Sequence, residues 1–498
     1  MKKIAILGGG VSGLSCAHYL AKLGKSLGRS DRIILIEASN SVGGWLKSQQ
    51  FDDGVIHELG PKSIRASGLP AFNTLLLAEE IKLTPDIIKV KSGDPAAKKR
   101  LICVNNQLYT LPNSLKSLIF NCPPFTKPLI SSMYKDFKSP RLTLDPNNGE
   151  DISVHDFMVS RFGEEVAKYL FDPMCRGIAA GDSKKLSLKS MFPPIYRAER
   201  SKGSVIKGML SPNKETPSTI NSEISSSSLL NQVKSEKWSI WSLKNGLEQL
   251  PATIYSNLIK HSTSANVEVH LGHQVDHIMF KDDGSAVLHV SNCNSIKPIS
   301  VDHIFSALPA NNLAKCISAK GYPIIHNNLK SIKSVTVAVV NLEYSGTIIP
   351  RDMGFGFLTP SYSNSPILGI VFDSCCFRDH DGDKDITRLT VMMGGEWFDD
   401  QFGDPVNVDH QLMLKIAQDS VRNHLNINVN PVRTIVNIHK ECIPQYYVGH
   451  SSKVETIRSE IEKHQLNLEL IGNSFGGLGV NDSIYDARQK AYRFYNNK

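Results

Sequence analysis

The sequence of 498 residues lacks long hydrophobic runs. Its apolar stretches, such as Ile33–Ile36, fall far short of the roughly 20 residues that a helix needs to span a bilayer. None of its nine cysteines forms a C-x-x-C pair, so neither a zinc site nor a thioredoxin-like motif is indicated. Hydrophobic residues nevertheless make up 41% of the chain and charged residues 21%, which is ordinary globular composition. These features exclude a polytopic membrane protein and a wholly disordered chain.

Patterns for metal-dependent and serine-type hydrolytic chemistry are also missing. The sixteen histidines, among them His155, His270 and His273, form no ligand cluster, so we expect no metal. No Ser/His/Asp order is present. We interpret the vicinal pair Cys375–Cys376 as core packing rather than a reactive site. Only Met1–Lys3 precede the first predicted strand, so we expect no cleavable targeting signal.

The formal net charge of +8 is unevenly distributed. Residues 98–207 contain 18 basic and 10 acidic residues, so this segment carries the whole positive excess. A basic segment favours an anionic partner, which would be acidic lipid, nucleic acid or an acidic substrate. An ordinary solvated helical face is the alternative interpretation. No nucleic-acid motif accompanies the charge, so we expect no nucleic-acid partner.

The N-terminal sequence predicts a βαβ unit that binds a dinucleotide. Ile4–Leu7 predicts a buried strand, Val11–Leu23 has helical spacing, and Arg32–Glu37 predicts a second buried strand that ends on an acid. Between the first strand and the helix, Gly8–Gly13 fits G-x-G-x-x-G. These glycines allow a tight turn, a close approach of pyrophosphate to the backbone, and close packing of the helix on the strand. The phosphates would face the helix N-terminus, and Glu37 could accept hydrogen bonds from the ribose hydroxyls. The motif alone does not separate NAD from FAD.

Two further glycine-rich segments extend this prediction. In Ser41–Trp45, two adjacent glycines let the chain lie flat against an extended cofactor, although an ordinary turn would have the same composition. Near the C-terminus, a glycine-rich stretch precedes the helical pattern Val480–Tyr492. This pattern predicts a second helix N-terminus that faces the cofactor.

Other segments give coarser predictions. Residues 211–228 are rich in serine and poor in apolar residues, which predicts a flexible surface loop. We expect Thr336–Leu342 and Leu389–Met393 to be strands of a sheet with one buried face. Two more strands are predicted at Val267–Leu271 and Asp302–Leu308.

Several blocks spread along the chain resemble the protoporphyrinogen oxidase family of the flavin amine oxidase superfamily. The block Glu58–Arg65 is similar to the family's E-L-G-P-R segment, with Lys62 where the family usually has arginine. The blocks Cys175–Asp182 and Cys442–Tyr446 resemble blocks particular to the animal mitochondrial form. The similarity runs from residue 4 to about residue 490. The blocks are Glu37–Trp45, Glu58–Arg65, Trp238–Pro251, Cys175–Asp182, Cys442–Tyr446 and Gly472–Ile484.

The resemblance implies an α/β fold class (α+β overall) with three parts. These are a Rossmann-like FAD-binding domain, a mixed-sheet substrate-binding domain and a helical membrane-associating insertion. The implied boundaries are 1–66, 236–308 and 450–498 for the FAD-binding domain, 67–97, 206–235 and 309–449 for the substrate-binding domain, and 98–205 for the helical domain.

The resemblance also implies non-covalent FAD and a set of residues that contact it. Val275 matches the position whose backbone contacts the adenine, and a core valine is the equally favoured alternative. The implied cofactor-binding residues are Gly8, Gly9, Gly10, Ser12, Gly13, Glu37, Ala38, Ser39, Gly43, Gly44, Trp45, Gly60, Pro61, Lys62, Ser63, Val275, Trp397, Gly472, Val480, Asn481, Asp482, Ser483 and Ile484.

On the substrate side, the resemblance implies an arginine that pairs with a propionate, the walls of a pyrrole site, and small residues near the ring. The residues that match these positions are Arg100 for the propionate, Phe355, Gly356 and Leu358 for the walls, Met392 near the flavin, and Gly177 and Ala180 where the backbone approaches the ring.

The activity implied by the resemblance is the oxidation of protoporphyrinogen IX to protoporphyrin IX by O2, with release of H2O2, as the penultimate step of haem biosynthesis. Such an enzyme needs little acid–base chemistry, because the cofactor accepts the hydride. The implied location is the intermembrane-space side of the mitochondrial inner membrane, as a peripheral homodimer that could pass its product to ferrochelatase. The alternatives are a flavin amine or polyamine oxidase, a carotenoid-type desaturase, and a flavin-binding escort protein without turnover.

Overall fold

The computed structural model describes residues 1–145, 149–211, 220–260, 266–292 and 295–496, without the side chain of Leu115. The strands are β1 Lys3–Leu7, β2 Arg32–Ile36, β3 Ser48–Gln50, β4 Ile56–Glu58, β5 Ile64–Arg65, β6 Ile87–Lys91, β7 Leu101–Val104, β8 Gln107–Thr110, β9 Trp238–Leu243, β10 Val267–His270, β11 Gln274–Phe280, β12 Ala286–Asn292, β13 Ser295–Val301, β14 His303–Ser306, β15 Ser334–Ser345, β16 Gly356–Leu358, β17 Ile367–Val371, β18 Ile386–Gly395, β19 Arg433–Pro444 and β20 Leu468–Leu470.

The helices have the following bounds: α1 Val11–Ser26, α2 Leu69–Glu80, α3 Pro95–Lys98, α4 Leu115–Ile119, α5 Leu129–Lys138, α6 Val154–Phe162, α7 Glu164–Val166, α8 Asp172–Ala179, α9 Leu188–Met191, α10 Pro193–Lys202, α11 Val205–Leu210, α12 Asn221–Ser226, α13 Ser228–Glu236, α14 Gln249–Lys260, α15 Ala310–Cys316, α16 Pro323–Lys330, α17 Asp373–Cys376, α18 Phe398–Phe402, α19 His410–Leu425, α20 His450–Lys463 and α21 Val480–Asn496. A π-helical turn at Ala167–Phe171 precedes α8.

A parallel sheet in the order β10-β2-β1-β14-β20 carries the N-terminal motif. The side chains of β1 alternate between two cores. Ile4 and Ile6 pack with α1, α2, α14 and α21 on one face, while Ala5 and Leu7 pack with β11–β13, α15 and α20 on the other. Because both faces are covered, the strands are apolar throughout, as expected for a parallel sheet. The predicted βαβ unit is confirmed.

A mixed sheet in the order β19-β15-β18-β17-β16-β7-β8 forms the second large layer. Its long strand β15, next to the edge strand β19, pairs antiparallel with both β18 and β19. Ala338 and Val340 pack under α19, and Val337 and Val339 point to the opposite face and are buried there too. The prediction of one buried face is therefore wrong. The nearly continuous apolar run in β15 is the pattern of a strand buried on both faces, and it was the available signal.

The described residues between β8 and β9 are largely helical, and a buried ion pair joins three of their helices. Nε of Arg161 donates to Oδ1 of Asp136 at 2.7 Å, and both side chains are fully buried. The other oxygen of Asp136 accepts from the hydroxyl of Ser204 (2.7 Å) and the N–H of Ile206 (2.9 Å). These contacts join α5, α6 and α11 into one unit.

Three expectations about segments need correction. Residues 101–110 form β7 and β8 of the mixed sheet, so the segment 98–205 is not helical throughout. Within 211–228, residues 212–219 lie outside the described residues, but Asn221–Ser226 is a helix whose Ile224 packs in the core beneath α2. Residues 69–80 and 229–233, expected in the substrate-binding part, also pack in that core. Local composition does not record which core a segment packs on, so these positions could not be predicted from it, and the bounds of the three domains stay a prediction.

Candidate active site

The glycine turn after β1 is shaped by two opposite requirements. At Gly13 a Cβ atom would lie 1.9 Å from the carbonyl oxygen of Gly8, so α1 packs against the turn only without a side chain. Gly8 itself has φ of +98°, which favours glycine. At Gly10, by contrast, a Cβ would have no heavy atom within 4 Å. Helix α1 begins directly after Gly10 and has no side-chain cap, so its first N–H groups are available to an anion.

Glu37 lies against this turn, immediately after β2. Its Oε2 accepts from the N–H of Gly9 at 2.6 Å, and its Oε1 accepts from the N–H of Ser39 at 2.8 Å. The carboxylate therefore lies at the end of the strand beside the glycine turn, as the sequence predicted for a ribose contact. Ala38 and Ser39 are exposed beside it.

The second glycine segment packs directly on the first. The N–H of Gly43 donates to the carbonyl of Gly9 at 2.9 Å, and Gly43 and Gly44 have φ of +106° and +59°. A Cβ at Gly44 would lie 3.4 Å from Cα of Gly10. The two loops thus lie face to face with backbone exposed between them. Trp45 then leads the chain towards the mixed sheet.

The C-terminal glycine segment closes the same region from a third side. Gly472 has φ of +96°, and a Cβ there would lie 3.3 Å from the hydroxyl of Ser12. The segment ends at α21, where Asp482 accepts from the N–H of Gly479 at 3.2 Å. Burial raises the pKa of Asp482. Val480 is half-buried, Ser483 and Ile484 are buried, and Asn481 donates to the carbonyl of Arg65 at 3.1 Å.

The segment Gly60–Ser63 lies between Trp45 and the mixed sheet. A Cβ at Gly60 would lie 2.1 Å from the carbonyl oxygen of Trp45, so these two segments touch backbone to backbone. Lys62 is buried and points away from the glycine turns, towards Asn341 and Asp373. Pro61 and Ser63 are half-buried.

An apolar wall faces the end of the Trp45 segment. Trp45, Met392, Trp397 and Ile443 are the half-buried members of one hydrophobic cluster, in which Ala180 is buried. Buried residues of the mixed sheet back this wall, namely Val335, Val337, Val339, Leu368 and Cys442. The structure therefore brings four of the predicted residues together around one apolar surface.

Helix α8 brings its C-terminal end close to this wall. A Cβ at Gly177 would lie 2.8 Å from Leu358, and a Cβ at Gly395 would overlap the carbonyl oxygen of Ala180. The guanidinium of Arg176 lies 4.4 Å from the centre of the Trp397 ring. These small residues let α8 approach the sheet, and the predicted approach of Gly177 and Ala180 to the substrate ring stays a prediction.

The side chain of Arg100 lies over an aromatic ring just before the first residue of β16. Its guanidinium lies 4.9 Å from the centre of the Phe355 ring. Within the described ranges, no carboxylate forms an ion pair with it, and the side chain is exposed. Phe355 and Leu358 are three residues apart on one extended segment, a spacing of about 10 Å. Gly356 has φ of +144°, and a Cβ there would clash with the carbonyl of Ile370.

Val275 has the buried side chain of a core valine, which is the alternative to an adenine contact that the sequence left open. Its side chain is buried in the core between β11 and the parallel sheet. Its carbonyl accepts from the thiol of Cys316 at 3.1 Å. Two residues earlier, the N–H of His273 donates to the carbonyl of Glu37 at 2.9 Å. The backbone is thus near the ribose side of the turn, and the adenine contact stays a prediction.

Comparison with known proteins agrees with this geometry. Residues 11–491 match the family of flavin containing amine oxidoreductases. The chain is 36% identical over 490 residues to the protoporphyrinogen oxidase of Homo sapiens, covering 98% of each chain. It is 26% identical over 499 residues to the coproporphyrinogen III oxidase of Bacillus subtilis, covering 97% of this chain and 96% of that one.

A solved structure of a candidate protoporphyrinogen oxidase from Exiguobacterium sp. 255-15 has the same fold. It matches with a TM-score of 0.76 at 19% identity and covers 100% of this chain and 99% of that chain. The chain belongs to the flavin-containing amine oxidoreductases and, within them, to the protoporphyrinogen oxidase family.

The cofactor is FAD, and the residues present fit it. The uncapped N-terminus of α1 and the open space at Gly10 suit the pyrophosphate. Glu37 suits the ribose, and the three glycine segments leave backbone, rather than side chains, facing one region. The apolar wall at Trp45 would then lie at the flavin end.

Three residues that contact segments of the site were not predicted as site residues from the sequence. Arg176 lies on Trp397, and Nε2 of His439 lies 2.6 Å from the carbonyl of Leu59 beside Gly60. Tyr446 contacts the C-terminal glycine segment. Arg176 and Tyr446 belong to blocks that carried the family resemblance, and that was the available signal. His439 had none, because its partner is 380 residues away in sequence.

Proposed function

We propose that this protein oxidises protoporphyrinogen IX to protoporphyrin IX, with O2 as the final electron acceptor. The observation that carries the proposal is the apolar wall of Trp45, Ala180, Met392 and Trp397 beside the glycine segments. A flat, largely apolar macrocycle fits such a surface. The relative in Homo sapiens is named for this substrate.

The proposed reaction removes six hydrogens from each substrate molecule. Three molecules of O2 take up six electrons and six protons to give three molecules of H2O2. FAD, when bound, accepts each hydride from the substrate and passes its electrons to O2. The protein then has to hold the macrocycle in place and exclude water, which is a task for packing rather than for acid–base groups.

Named residues of the chain can perform this task. Trp45 and Met392 cover the wall with apolar surface, while Gly177 and Ala180 leave room for a flat ring near α8. The unpaired guanidinium of Arg100 would hold a propionate carboxylate at the outer end of the site.

The same wall supports non-covalent attachment of the cofactor. Cys442 is the buried cysteine in the wall, and its thiol lies 3.5 Å from the carbonyl of Val335. Burial raises the pKa of Cys442 to about 12, so the thiol stays protonated. A protonated thiol is a poor nucleophile towards a flavin. This favours the porphyrinogen substrate over the amine oxidase alternative with a cysteine-linked flavin.

The decisive experiment mixes the purified flavoprotein anaerobically with protoporphyrinogen IX and follows flavin absorbance. We expect bleaching, and on admission of air three H2O2 for each porphyrin formed. The controls are coproporphyrinogen III, which carries two more carboxylates, and a polyamine. Bleaching by the polyamine alone would establish the amine oxidase alternative. A flavin that no substrate bleaches would favour an escort protein.

We further propose that the helical segment attaches the protein to an anionic lipid surface, as a peripheral homodimer on the intermembrane-space side of the mitochondrial inner membrane. Among the described residues, no helix has both the length and the hydropathy to cross a bilayer. The segment instead exposes large apolar side chains beside lysines, which suits interfacial binding. In and beside α4, α5 and α11, the exposed side chains are Ile119, Phe120, Ile130, Tyr134, Phe137, Met209 and Leu210.

Vesicle binding tests this attachment with a matched control. Phe120 and Ile296 are both 67% exposed, but Ile296 lies on β13, outside the helical segment. We expect the double variant Phe120→Ser/Leu210→Ser to lose co-sedimentation with anionic vesicles, while Ile296→Ser keeps it. Equal binding by both variants would contradict the proposal. Gel filtration in detergent tests the dimer, and channelling of porphyrin to ferrochelatase can be tested separately.

A further inference from the structure

The segment 442–449 lies between the helical part of the chain and the C-terminal glycine segment. On the helical side, the N–H of Ser187 donates to the carbonyl of Tyr446 at 2.7 Å. Nε2 of Gln445 donates to the carbonyl of Ala179 at 2.9 Å. The N–H of Gly449 donates to Asp151 at 2.9 Å. The segment is thus fixed in place on that side by several independent hydrogen bonds.

On its other side, one hydroxyl group holds the glycine segment at two points. The hydroxyl of Tyr446 donates to the carbonyl of Asn473 at 2.5 Å and accepts from the N–H of Gly477 at 3.1 Å. These two backbone groups lie four residues apart in the stretch that joins β20 to α21. A single buried hydroxyl therefore satisfies one acceptor and one donor of a loop that is rich in glycine.

The ring of Tyr446 is itself rigidly placed. Its side chain is only 4% exposed, and it stacks on His450 with ring centres 4.0 Å apart and planes 13° apart. Burial raises the pKa of the Tyr446 hydroxyl above its ordinary range, so the hydroxyl keeps its proton and remains a donor. Burial also lowers the pKa of His450 to about 3, so the stacked imidazole is neutral.

The glycine segment between β20 and α21 needs a contact that fixes its shape, because glycine-rich backbone is flexible. Gly472, Gly476, Gly477 and Gly479 make the backbone between β20 and α21 conformationally free, and ordering it on binding FAD would lower affinity. A segment that is already ordered before FAD binds avoids that loss.

We infer that Tyr446 is a positioning residue for the flavin, which holds the segment Asn473–Gly477 in its FAD-binding shape through its hydroxyl group. The inference concerns cofactor binding, so it stands independently of which substrate the enzyme oxidises.

The test compares Tyr446→Phe with Tyr447→Phe. The first variant keeps the stacked ring and removes only the hydroxyl that holds the glycine segment. The second removes the neighbouring hydroxyl, which bonds to Glu396 and not to the segment. Each protein is stripped of flavin and titrated with FAD, and the flavin absorption spectrum of the reconstituted enzyme is recorded. We expect FAD binding to weaken about tenfold in Tyr446→Phe, with an altered absorption band, and to remain unchanged in Tyr447→Phe.

Unchanged FAD affinity and an unchanged spectrum in Tyr446→Phe would overturn the inference, and so would equal losses in both variants. A measurement on the unmodified chain covers the case in which Tyr446→Phe does not fold. In the flavin-free wild-type protein, hydrogen exchange of the peptide that contains Gly477 should be slow, since its N–H is bonded to Tyr446. Rapid exchange of that amide before FAD is added would equally overturn the inference.

Discussion

Adding one methyl group at Gly10 should separate cofactor binding from folding. Its φ of −70° suits alanine, and a Cβ there has no heavy atom within 4 Å. Alanine at a compatible position stabilises a fold by about 0.4–1 kcal/mol, because the unfolded chain loses freedom. The same methyl lies at the uncapped start of α1, where the pyrophosphate of FAD approaches the backbone. Gly10→Ala should therefore keep the fold and weaken FAD binding.

The expected loss of FAD affinity in Gly10→Ala follows from the cost of overpacking. Inserting a methyl group into a filled contact costs about 1–3 kcal/mol. Since 1.4 kcal/mol is a factor of ten, FAD affinity should fall by about 5- to 150-fold. The melting temperature of the flavin-free protein should stay the same or rise slightly.

Gly13→Ala is the matched comparison, because it adds the same methyl group three residues later. There the Cβ would lie 1.9 Å from the carbonyl oxygen of Gly8, so α1 would have to move off the turn. We expect Gly13→Ala to lose thermal stability and flavin together. The assays are a thermal melt of each flavin-free protein and a titration with FAD. If Gly10→Ala binds FAD with wild-type affinity, the pyrophosphate does not lie at Gly10 and the placement of the cofactor is wrong.

Three further variants test other parts of the structure. Arg100→Ala should raise the apparent KM for protoporphyrinogen IX about tenfold or more with a smaller change in kcat, because a charge-assisted hydrogen bond contributes about 1.5–3 kcal/mol. Steady-state kinetics with Lys98→Ala as control decide this, and equal KM values in both variants would remove Arg100 from the site. Asp136→Asn should lower the free energy of unfolding by about 3 kcal/mol in a urea titration, because the buried Arg161 then keeps only the more distant carboxylate of Glu199, 3.9 Å away, as its partner charge. A loss below about 1 kcal/mol would show that the pair does not hold the helices together. His450→Phe should reduce the acid sensitivity of folding. The pKa of this histidine is lowered to about 3 in the fold, so its contribution to stability is present above pH 6.5 and is lost as pH falls towards 3, by up to about 1.4 kcal/mol per unit. Urea titrations between pH 6.5 and 4.5 measure the slope, and an unchanged slope would mean that the folded protein already binds that proton.

The cofactor end of the molecule could be predicted from sequence because its determinants are local. Strand β1, the turn Gly8–Gly13 and helix α1 are consecutive, and the close contact of Gly13 with the carbonyl of Gly8 arises within the turn itself. Glu37 follows the next strand directly. A short stretch of chain therefore contains both the pattern and its structural cause.

The apolar wall could not be derived in this way, because its members come from distant parts of the chain. Trp45, Ala180, Met392 and Cys442 meet only after the mixed sheet and α8 have packed. An apolar residue in a strand has the same pattern whether it faces a substrate or a core. The family resemblance was needed to single out Met392 and Ala180, and the structure then placed them together.

Lys62 shows how the structure changes the interpretation of a residue that sequence assigned to the cofactor. Its ammonium group donates to the carbonyl of Glu58 and, at 2.9 Å, to Oδ1 of Asn341, and it lies 4.0 Å from Asp373. These partners belong to the segment before Gly60, to β15 and to α17. Burial lowers the pKa of Lys62, while the negative charge of Asp373 opposes this effect. A compact ammonium group needs less space than the planar guanidinium group of an arginine, so it fits among these three partners. Lys62 therefore joins the Gly60 segment to the mixed sheet through its side chain, and a contact of Lys62 with the cofactor stays a prediction.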